Sequence, residues 1–450
     1  MGRLFGTDGI RGIANKDLTC ELATQLGRAA AKVLTNKSNK YPTVLIGKDT
    51  RLSSDMLESA MAAGFCSIGA KVIMLGVVPT PAVAYLIEKY KADAGVMISA
   101  SHNSFEYNGI KIFSGDGFKL PDVLEEKIED IILGKDSIND NLAIDGSIGT
   151  VTVAKTAVRD YIEHVKSTMH FSLEGLEIAL DCANGSASVT AETLFTELGA
   201  KVHILNASPD GININDNCGS THVEGLSEYV KKHKLDAGMA FDGDADRCLA
   251  VDENGDFIDG DFMMAICALD MKSRGKLQKD TAVGTIMTNL GFVRFCEENG
   301  IHYEATKVGD RYVLEEMLLS GYNFGGEQSG HIIFRDFATT GDGQLSAAQL
   351  LSVVKRRNAN LSSLATLMQR FPQTMINLTV SPEGKVEFYT NSRVIKVIDE
   401  VTKTLGKSGR IVVRPSGTEP LLRVMVEGPD DETIQQLAEK VVNVMKEELV

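Results

Sequence analysis

Short apolar runs alternate with amphipathic stretches along most of this chain, and the alternation recurs. Val44-Leu45-Ile46-Gly47-Lys48-Asp49 reads as a buried strand, 55–68 as a helix stopped at Gly69, and 71–75 as a second strand. The same order returns at 178–181, 187–198, Gly199 and 201–205, with a near-identical join: Gly69-Ala70-Lys71-Val72 against Gly199-Ala200-Lys201-Val202. A fainter third copy covers 282–287, 291–298, Gly300 and 301–304. Strand, helix, helix-stopping glycine and strand is the βαβ pattern, so each copy predicts a parallel or mixed sheet.

The segments that follow repeat as well. Apolar runs at 92–98, 235–241 and 322–325 each lead into a polar loop of small residues. Ligands of open α/β sheets bind beyond the carboxyl ends of strands. Three such ends with different polar loops imply three units aimed at one site. After Phe371-Pro372 the repeat stops. Runs at 376–380, 386–389 and 411–414 read as strands and 431–448 as an amphipathic helix, a smaller α+β unit. The expected fold is α/β: three repeated α/β units with mixed or parallel sheets plus a C-terminal α+β unit. The expected ranges are 1–150, 151–254, 255–371 and 372–450, with a linker at 134–150.

Composition narrows the classes. At 450 residues, 43% hydrophobic and 24% charged, the chain is that of an ordinary globular protein of several domains. Its net charge of −15 argues against a nucleic-acid partner. No apolar run approaches the roughly 18 residues of a membrane span, and the first residues lack a signal-peptide core, so a cytoplasmic protein is expected. Seven scattered cysteines without a C-x-x-C pair fit reduced thiols.

The chemistry concentrates in five motifs. In Asp242-Gly243-Asp244-Ala245-Asp246-Arg247 three carboxylates alternate with small residues, a hard-oxygen set suited to Mg²⁺ or Ca²⁺. An EF-hand loop needs Gly at position 6, where this chain has Arg247, and helical flanks, where strands are expected; Glu253 does stand at position 12. Mg²⁺ is therefore favoured over a calcium-binding protein. Ser101-His102-Asn103 is followed by Asn108-Gly109-Ile110-Lys111, so a serine can lie beside a metal and a cation, a setting for a phosphoryl group. Arg414-Pro415-Ser416-Gly417-Thr418-Glu419-Pro420 with Arg423 forms an anion cradle. Phe5-Gly6-Thr7-Asp8-Gly9-Ile10-Arg11-Gly12 lets backbone approach a ligand with Arg11 as the charge. Gly326-Glu327-Gln328-Ser329-Gly330-His331 offers a carboxylate and a hydroxyl for sugar hydroxyls. No G-x-x-x-x-G-K-[ST] loop is present, so a nucleoside triphosphate is not indicated.

Together, in this order and spacing, the five motifs resemble the α-D-phosphohexomutase superfamily over essentially the whole chain. Gln328 in the sugar loop is similar to the branch that acts on glucosamine phosphates; the phosphomannomutase/phosphoglucomutase branch usually has Met there. The resemblance implies four units around a central cleft, with Ser101 as a phosphoserine whose phosphoryl group joins Asp242, Asp244 and Asp246 in holding Mg²⁺. It places Arg11, Lys111, Arg247 and His331 at the reacting groups. It gives His102, Glu327 and Ser329 to the sugar substrate, and Arg414, Ser416, Gly417, Thr418 and Arg423 to the phosphate not being transferred. The implied reaction interconverts glucosamine 6-phosphate and glucosamine 1-phosphate through glucosamine 1,6-bisphosphate, a step towards amino-sugar nucleotides and cell-wall precursors. The alternative is a mutase of broader sugar choice. A homodimer is compatible with the resemblance. One departure stands out: Ser104 occupies the position usually held by Pro, which predicts a modestly looser loop.

Overall fold

The apolar runs become strands of four sheets. The computed structural model describes residues 4–6, 8–34, 41–134, 142–416 and 420–450. The first sheet contains β1 (Ile10–Ile13), β2 (Thr43–Lys48), β3 (Lys71–Val77), β4 (Ala94–Ile98), β5 (Tyr107–Ser114) and β6 (Val151–Val153), in the order β1-β5-β4-β2-β3-β6. The second contains β7 (Glu177–Asp181), β8 (Lys201–Leu205), β9 (Ala237–Phe241), β10 (Cys248–Asp252) and β11 (Phe257–Ile258), ordered β11-β10-β9-β7-β8. The third contains β12 (Thr281–Thr285), β13 (His302–Thr306), β14 (Phe324–Gly326) and β15 (Ile332–Phe334), ordered β13-β12-β14-β15.

These orders share one pattern. In each sheet the first strand of the repeat lies between the second and third and runs parallel to both, as in β3-β2-β4, β8-β7-β9 and β13-β12-β14. A fourth strand then pairs antiparallel with the third. The three polar loops predicted to carry chemistry are therefore topologically equivalent: each joins the third strand to the fourth. Strands β4 and β9 are buried at every residue, as strands covered on both faces must be.

The C-terminal unit is built differently. Strands β16 (Gln373–Thr379), β17 (Arg410–Pro415) and β18 (Leu421–Glu427) form an antiparallel sheet ordered β16-β18-β17. Its own core joins Leu378, Val394, Val401, Val424, Ile434, Val441 and Met445. By contrast, one continuous core runs from Leu86 and Phe113 through Phe195 and Phe241 to Phe292 and Phe324, fusing the first three units.

Two segments differ from the pattern-based reading. Residues 386–389 were expected as a strand, but Pro382–Glu387 is a helix. Ser381 caps it, its hydroxyl accepting from Gly384 N at 3.0 Å, and Pro382 opens it. Those end signals outweigh the strand preference of Val386 and Phe388. The expected helix at 187–198 divides into a turn, Ser186–Val189, and a helix, Ala191–Glu197. Thr190 sits between them outside helical geometry, its hydroxyl accepting from Gln344 Nε2 at 2.6 Å.

The second and third units meet at a buried carboxyl. Tyr161 Oη donates to Asp342 Oδ1 at 2.8 Å, and Leu345 N donates to the same oxygen at 2.9 Å, capping the helix Gly343–Arg357. Burial pushes Asp342 up to about 6. A carboxyl that is harder to ionise folded than unfolded destabilises the fold once charged; here that penalty grows from about pH 4, the unfolded value, and is complete above about pH 6. Asn keeps an oxygen for both donors and carries no charge. Asp342→Asn is expected to stabilise the protein by roughly 2 kcal/mol at pH 8 and hardly at all at pH 4, read as the difference in urea midpoint at the two pH values.

Candidate functional site

Three carboxylates converge in the loop between β9 and β10. Ligand oxygens of Asp242, Asp244 and Asp246 lie within 4.8 Å of one another, and all three side chains are buried. The loop turns this tightly because Ala245 takes a left-handed φ of 54° and Gly243 has no side chain; a Cβ there would lie 2.6 Å from Ser101 O. Burial, with Asp246 and Asp244 nearby, pushes the Asp242 carboxyl well above its usual range. Burial acts on Asp244 too, but Lys111, 2.8 Å away, and the Thr80 hydroxyl, 2.6 Å away, carry it down to about 2. Asp244 Oδ1 and Asp246 Oδ1 are buried without a hydrogen-bond partner. Converging hard oxygens with unused lone pairs fit a hard divalent cation such as Mg²⁺. The flanks are strands, and Glu253 turns away to accept from Ser362 N at 3.2 Å, so the loop is not an EF-hand.

Ser101, between β4 and β5, meets this loop. Its Oγ is buried and donates to Asp242 Oδ2 at 2.7 Å. Its backbone has φ 54°, a conformation that costs a non-glycine residue about 1–3 kcal/mol unless its surroundings impose it. They do. Arg51 Nη2 and Asn215 Nδ2 each donate to Ser101 O at 3.0 Å, and the same two side chains donate to Asn103 O at 2.8 and 3.0 Å. Arg51 also reaches the carbonyls of Tyr107 and Ser104. Asp49 steadies the guanidinium at 2.8 Å and accepts from Ser99 Oγ at 2.6 Å, while Ser99 Oγ in turn accepts from Ser101 N at 3.0 Å. The looseness expected from Ser104 is thus met by donors from Arg51.

Cations border the pair. Lys111 Nζ, buried on β5, lies 3.0 Å from Asp8 and 3.3 Å from Asp246 as well as 2.8 Å from Asp244. Burial alone would lower this ammonium, yet Asp244, Asp8 and Asp246 raise it well above its usual value. Arg11 pairs with Asp8. Arg247 donates from Nη1 to His102 Nδ1 at 2.9 Å. Because arginine only donates, that ring nitrogen is an acceptor. Burial and the nearby Arg247 and Arg11 lower His102 to about 4, so the ring is neutral at pH 7.

The third loop closes the far side. Glu327 accepts from Gly309 N at 3.1 Å, and burial, with Asp310 nearby, raises its carboxyl. His331 is buried against Gly341, and its Nε2 lies 3.4 Å from Asp310 Oδ2. Ser329 is exposed. Asp310 also pairs with Lys119, which reaches Asp8 at 2.5 Å and so joins the first and third units. Arg414 and Arg423 face each other across β17 and β18, apart from this network, and burial together with Arg423 lowers the Arg414 guanidinium. Ser416 lies beside them, its carbonyl accepting from Lys385 Nζ at 2.8 Å. Gly417 and Thr418 lie outside the described residues. Two guanidinium groups set side by side across strands favour an anion between them.

Sequence reasoning missed Arg51, Asp49 and Asn215, which hold Ser101, and Lys119 and Asp310, which bridge two units. Asp49 and Arg51 could have been found: they follow β2 at the same sheet end that carries Ser101 after β4. Lys119 and Asp310 meet only in three dimensions.

The fold and site define a multidomain phosphosugar mutase architecture. Models of the phosphoglucomutase/phosphomannomutase family match in order: alpha/beta/alpha domain I over residues 2–139, domain II over 159–255, domain III over 259–371 and the C-terminal domain over 375–444. The chain belongs to this family. Its full-length relatives include the phosphoglucosamine mutase of Clostridium acetobutylicum, 55% identical over 97% of each chain, and that of Caldanaerobacter subterraneus subsp. tengcongensis, 54% identical over 100% of each. Among solved structures, a phosphoglucomutase/phosphomannomutase family protein of Burkholderia thailandensis superposes with a TM-score of 0.81 at 22% identity, covering 99% of this chain and 98% of that one. An N-acetylphosphoglucosamine mutase of Aspergillus fumigatus in complex with GlcNAc-6P and magnesium does so at 0.65 and 17%, covering 95% and 99%. No helix among the described residues is long and apolar enough to cross a membrane.

Arg51→Lys keeps the charge but cannot span the carbonyls that the planar guanidinium holds. It is expected to lower kcat about a hundredfold, as a misplaced reacting group does, with KM for the sugar phosphate little changed in steady-state assays.

Proposed function

We propose that this chain interconverts glucosamine 6-phosphate and glucosamine 1-phosphate, with Ser101 carrying the phosphoryl group. The observation that carries the reading is the buried Ser101 Oγ, 2.7 Å from a carboxylate of the aspartate cluster. The choice of sugar is supported by the full-length relatives, which are phosphoglucosamine mutases.

Phosphorylated Ser101 gives its phosphoryl group to the free C1 hydroxyl of glucosamine 6-phosphate. The Oγ–P bond breaks, an O1–P bond forms, and the hydroxyl proton leaves to a base as Oγ is released. The bound glucosamine 1,6-bisphosphate turns end for end. Ser101 then takes the phosphoryl group from O6, which regains a proton, leaving glucosamine 1-phosphate. Both ends of the sugar must therefore fit one distal phosphate site, a role suited to Arg414, Ser416, Gly417, Thr418 and Arg423. Asp242, Asp244, Asp246 and the phosphate on Ser101 would hold Mg²⁺, which when bound neutralises charge on the phosphoryl oxygens. Arg247 and Lys111 would meet the charge on those oxygens, and Arg11 and His331 are suited to act on the approaching sugar hydroxyl. Glu327 and Ser329 suit sugar hydroxyls, and neutral His102 steadies Arg247. All seven cysteines are unpaired, which supports a reducing compartment, the cytoplasm.

Ser101→Ala is expected to abolish mutase activity with the unfolding transition intact, and a tryptic map of the wild type is expected to show about +80 Da on the Ser101 peptide; retained turnover in the variant would refute the mechanism. EDTA is expected to remove activity and added Mg²⁺ to restore it. Glucosamine 6-phosphate is expected to exceed mannose 6-phosphate in kcat/KM by at least about tenfold, and parity would place the chain with the mutases of broader sugar choice.

A further inference from the structure

The sugar-reading loop does not stand alone. Its backbone rests on the N-terminus of the helix Gly260–Ser273: Gly260 N donates to Gln328 O at 2.9 Å, and a Cβ at Gly260 would meet Glu327 O at 2.2 Å. The side chain of Gln328 continues this contact. It reaches the cap of that helix, where its Nε2 donates to Asp259 Oδ2 at 3.2 Å. Residue 328 is thus held twice, by its carbonyl and by its amide.

Asp259 is a buried carboxylate with several duties. Its Oδ1 caps the helix, accepting from Asp261 N at 3.1 Å and Phe262 N at 3.2 Å. Its Oδ2 is shared between Gln328 and Arg370. The Arg370 guanidinium lies over the rings of Phe257 and Phe262, 5.6 and 5.2 Å from their centroids. The next residue, Phe371, is gripped on both backbone groups by Asn289: Phe371 N donates to Oδ1 and Nδ2 donates to Phe371 O, each at 3.0 Å. Asn289 Nδ2 also donates to Glu427 Oε1 at 3.1 Å, on β18 of the C-terminal sheet. One carboxylate therefore joins the sugar loop to the point where the chain enters the C-terminal unit.

We propose that Gln328 and Asp259 are positioning residues for Glu327, and that the Gln328–Asp259–Arg370 link sets the sugar loop relative to the entrance of the C-terminal unit. The role of Glu327 rests on the function proposed above. Gln328 acts through Asp259 rather than on the sugar. A side chain of similar length without an amide, such as Met, fills the space but leaves the loop without its second anchor.

The test is steady-state kinetics on Q328M, D259N and the double variant, with glucosamine 6-phosphate, Mg²⁺ and glucosamine 1,6-bisphosphate. Losing a hydrogen bond to a charged acceptor is expected to raise KM about tenfold in Q328M, equivalent to about 1.4 kcal/mol. The kcat is expected to stay within about threefold, since the reacting groups at Ser101 are untouched. D259N keeps a capping side chain and the fold, but loses the charge that Gln328 and Arg370 share; its KM is expected to rise at least as far. The double variant is expected to match D259N, because both changes remove the same bond. A KM for Q328M within about twofold of wild type, or penalties that add in the double variant, would overturn the proposal. Should the wild type prefer mannose 6-phosphate, the proposed function falls while the link is still read from the same variants on that substrate.

Discussion

Repulsion among three buried carboxylates is the constraint to which the centre of this molecule answers. Asp242, Asp244 and Asp246 converge where water cannot screen them, and each neighbour has a place in relieving that charge. Lys111 comes from β5, Thr80 from the helix Thr80–Tyr90, and the Ser101 hydroxyl from the adjoining loop. Arg247 is the last residue of the motif itself. Lys111 answers only part of the charge, since it also serves Asp8. Two carboxylate oxygens remain without hydrogen bonds. That residual demand suits the loop to a cation, and the serine oxygen already hydrogen-bonded to it is where the proposed phosphoryl group would sit.

Such convergence needs loops from different units to arrive at one point. The repeated strand order supplies it: in each of the first three sheets the working loop joins the third strand to an antiparallel fourth. The units share one core, so their loops meet with little freedom. The C-terminal sheet has a separate core and joins through polar contacts, chiefly Asn289 and Leu290 to Glu427 and Arg410 to the carbonyl of Thr288. Rigid placement suits the phosphoryl transfer proposed at Ser101. A unit attached by polar contacts suits the proposed phosphate site, which would have to accept either end of a turning sugar.

Much of this was legible in the chain. The βαβ pattern placed β2, β3, β7, β8, β12 and β13 to within a few residues, because apolar runs flanked by glycine have few other uses. The aspartate spacing marked the cation loop, since alternating small residues are what bring three carboxylates together. Errors fell where end signals compete with propensity. Ser381 and Pro382 began a helix across residues whose side chains favour strands, and β18 was overlooked although it is the central strand of its sheet.

The local pattern thus settled which segments become strands, that three of them end in polar loops, and which residues carry charge there. Periodicity and spacing act over a few residues, so they are written in the chain. Which loops face each other, and what holds them, was settled only by the packed molecule. Arg51 and Asn215 hold Ser101 in a left-handed conformation, Lys119 bridges Asp8 and Asp310, and Gln328 bonds to Asp259. Their partners, apart from neighbours such as Asp49, lie tens to hundreds of residues away. Only burial, which makes an unmet charge or carbonyl costly, selects those pairings from the many the sequence allows.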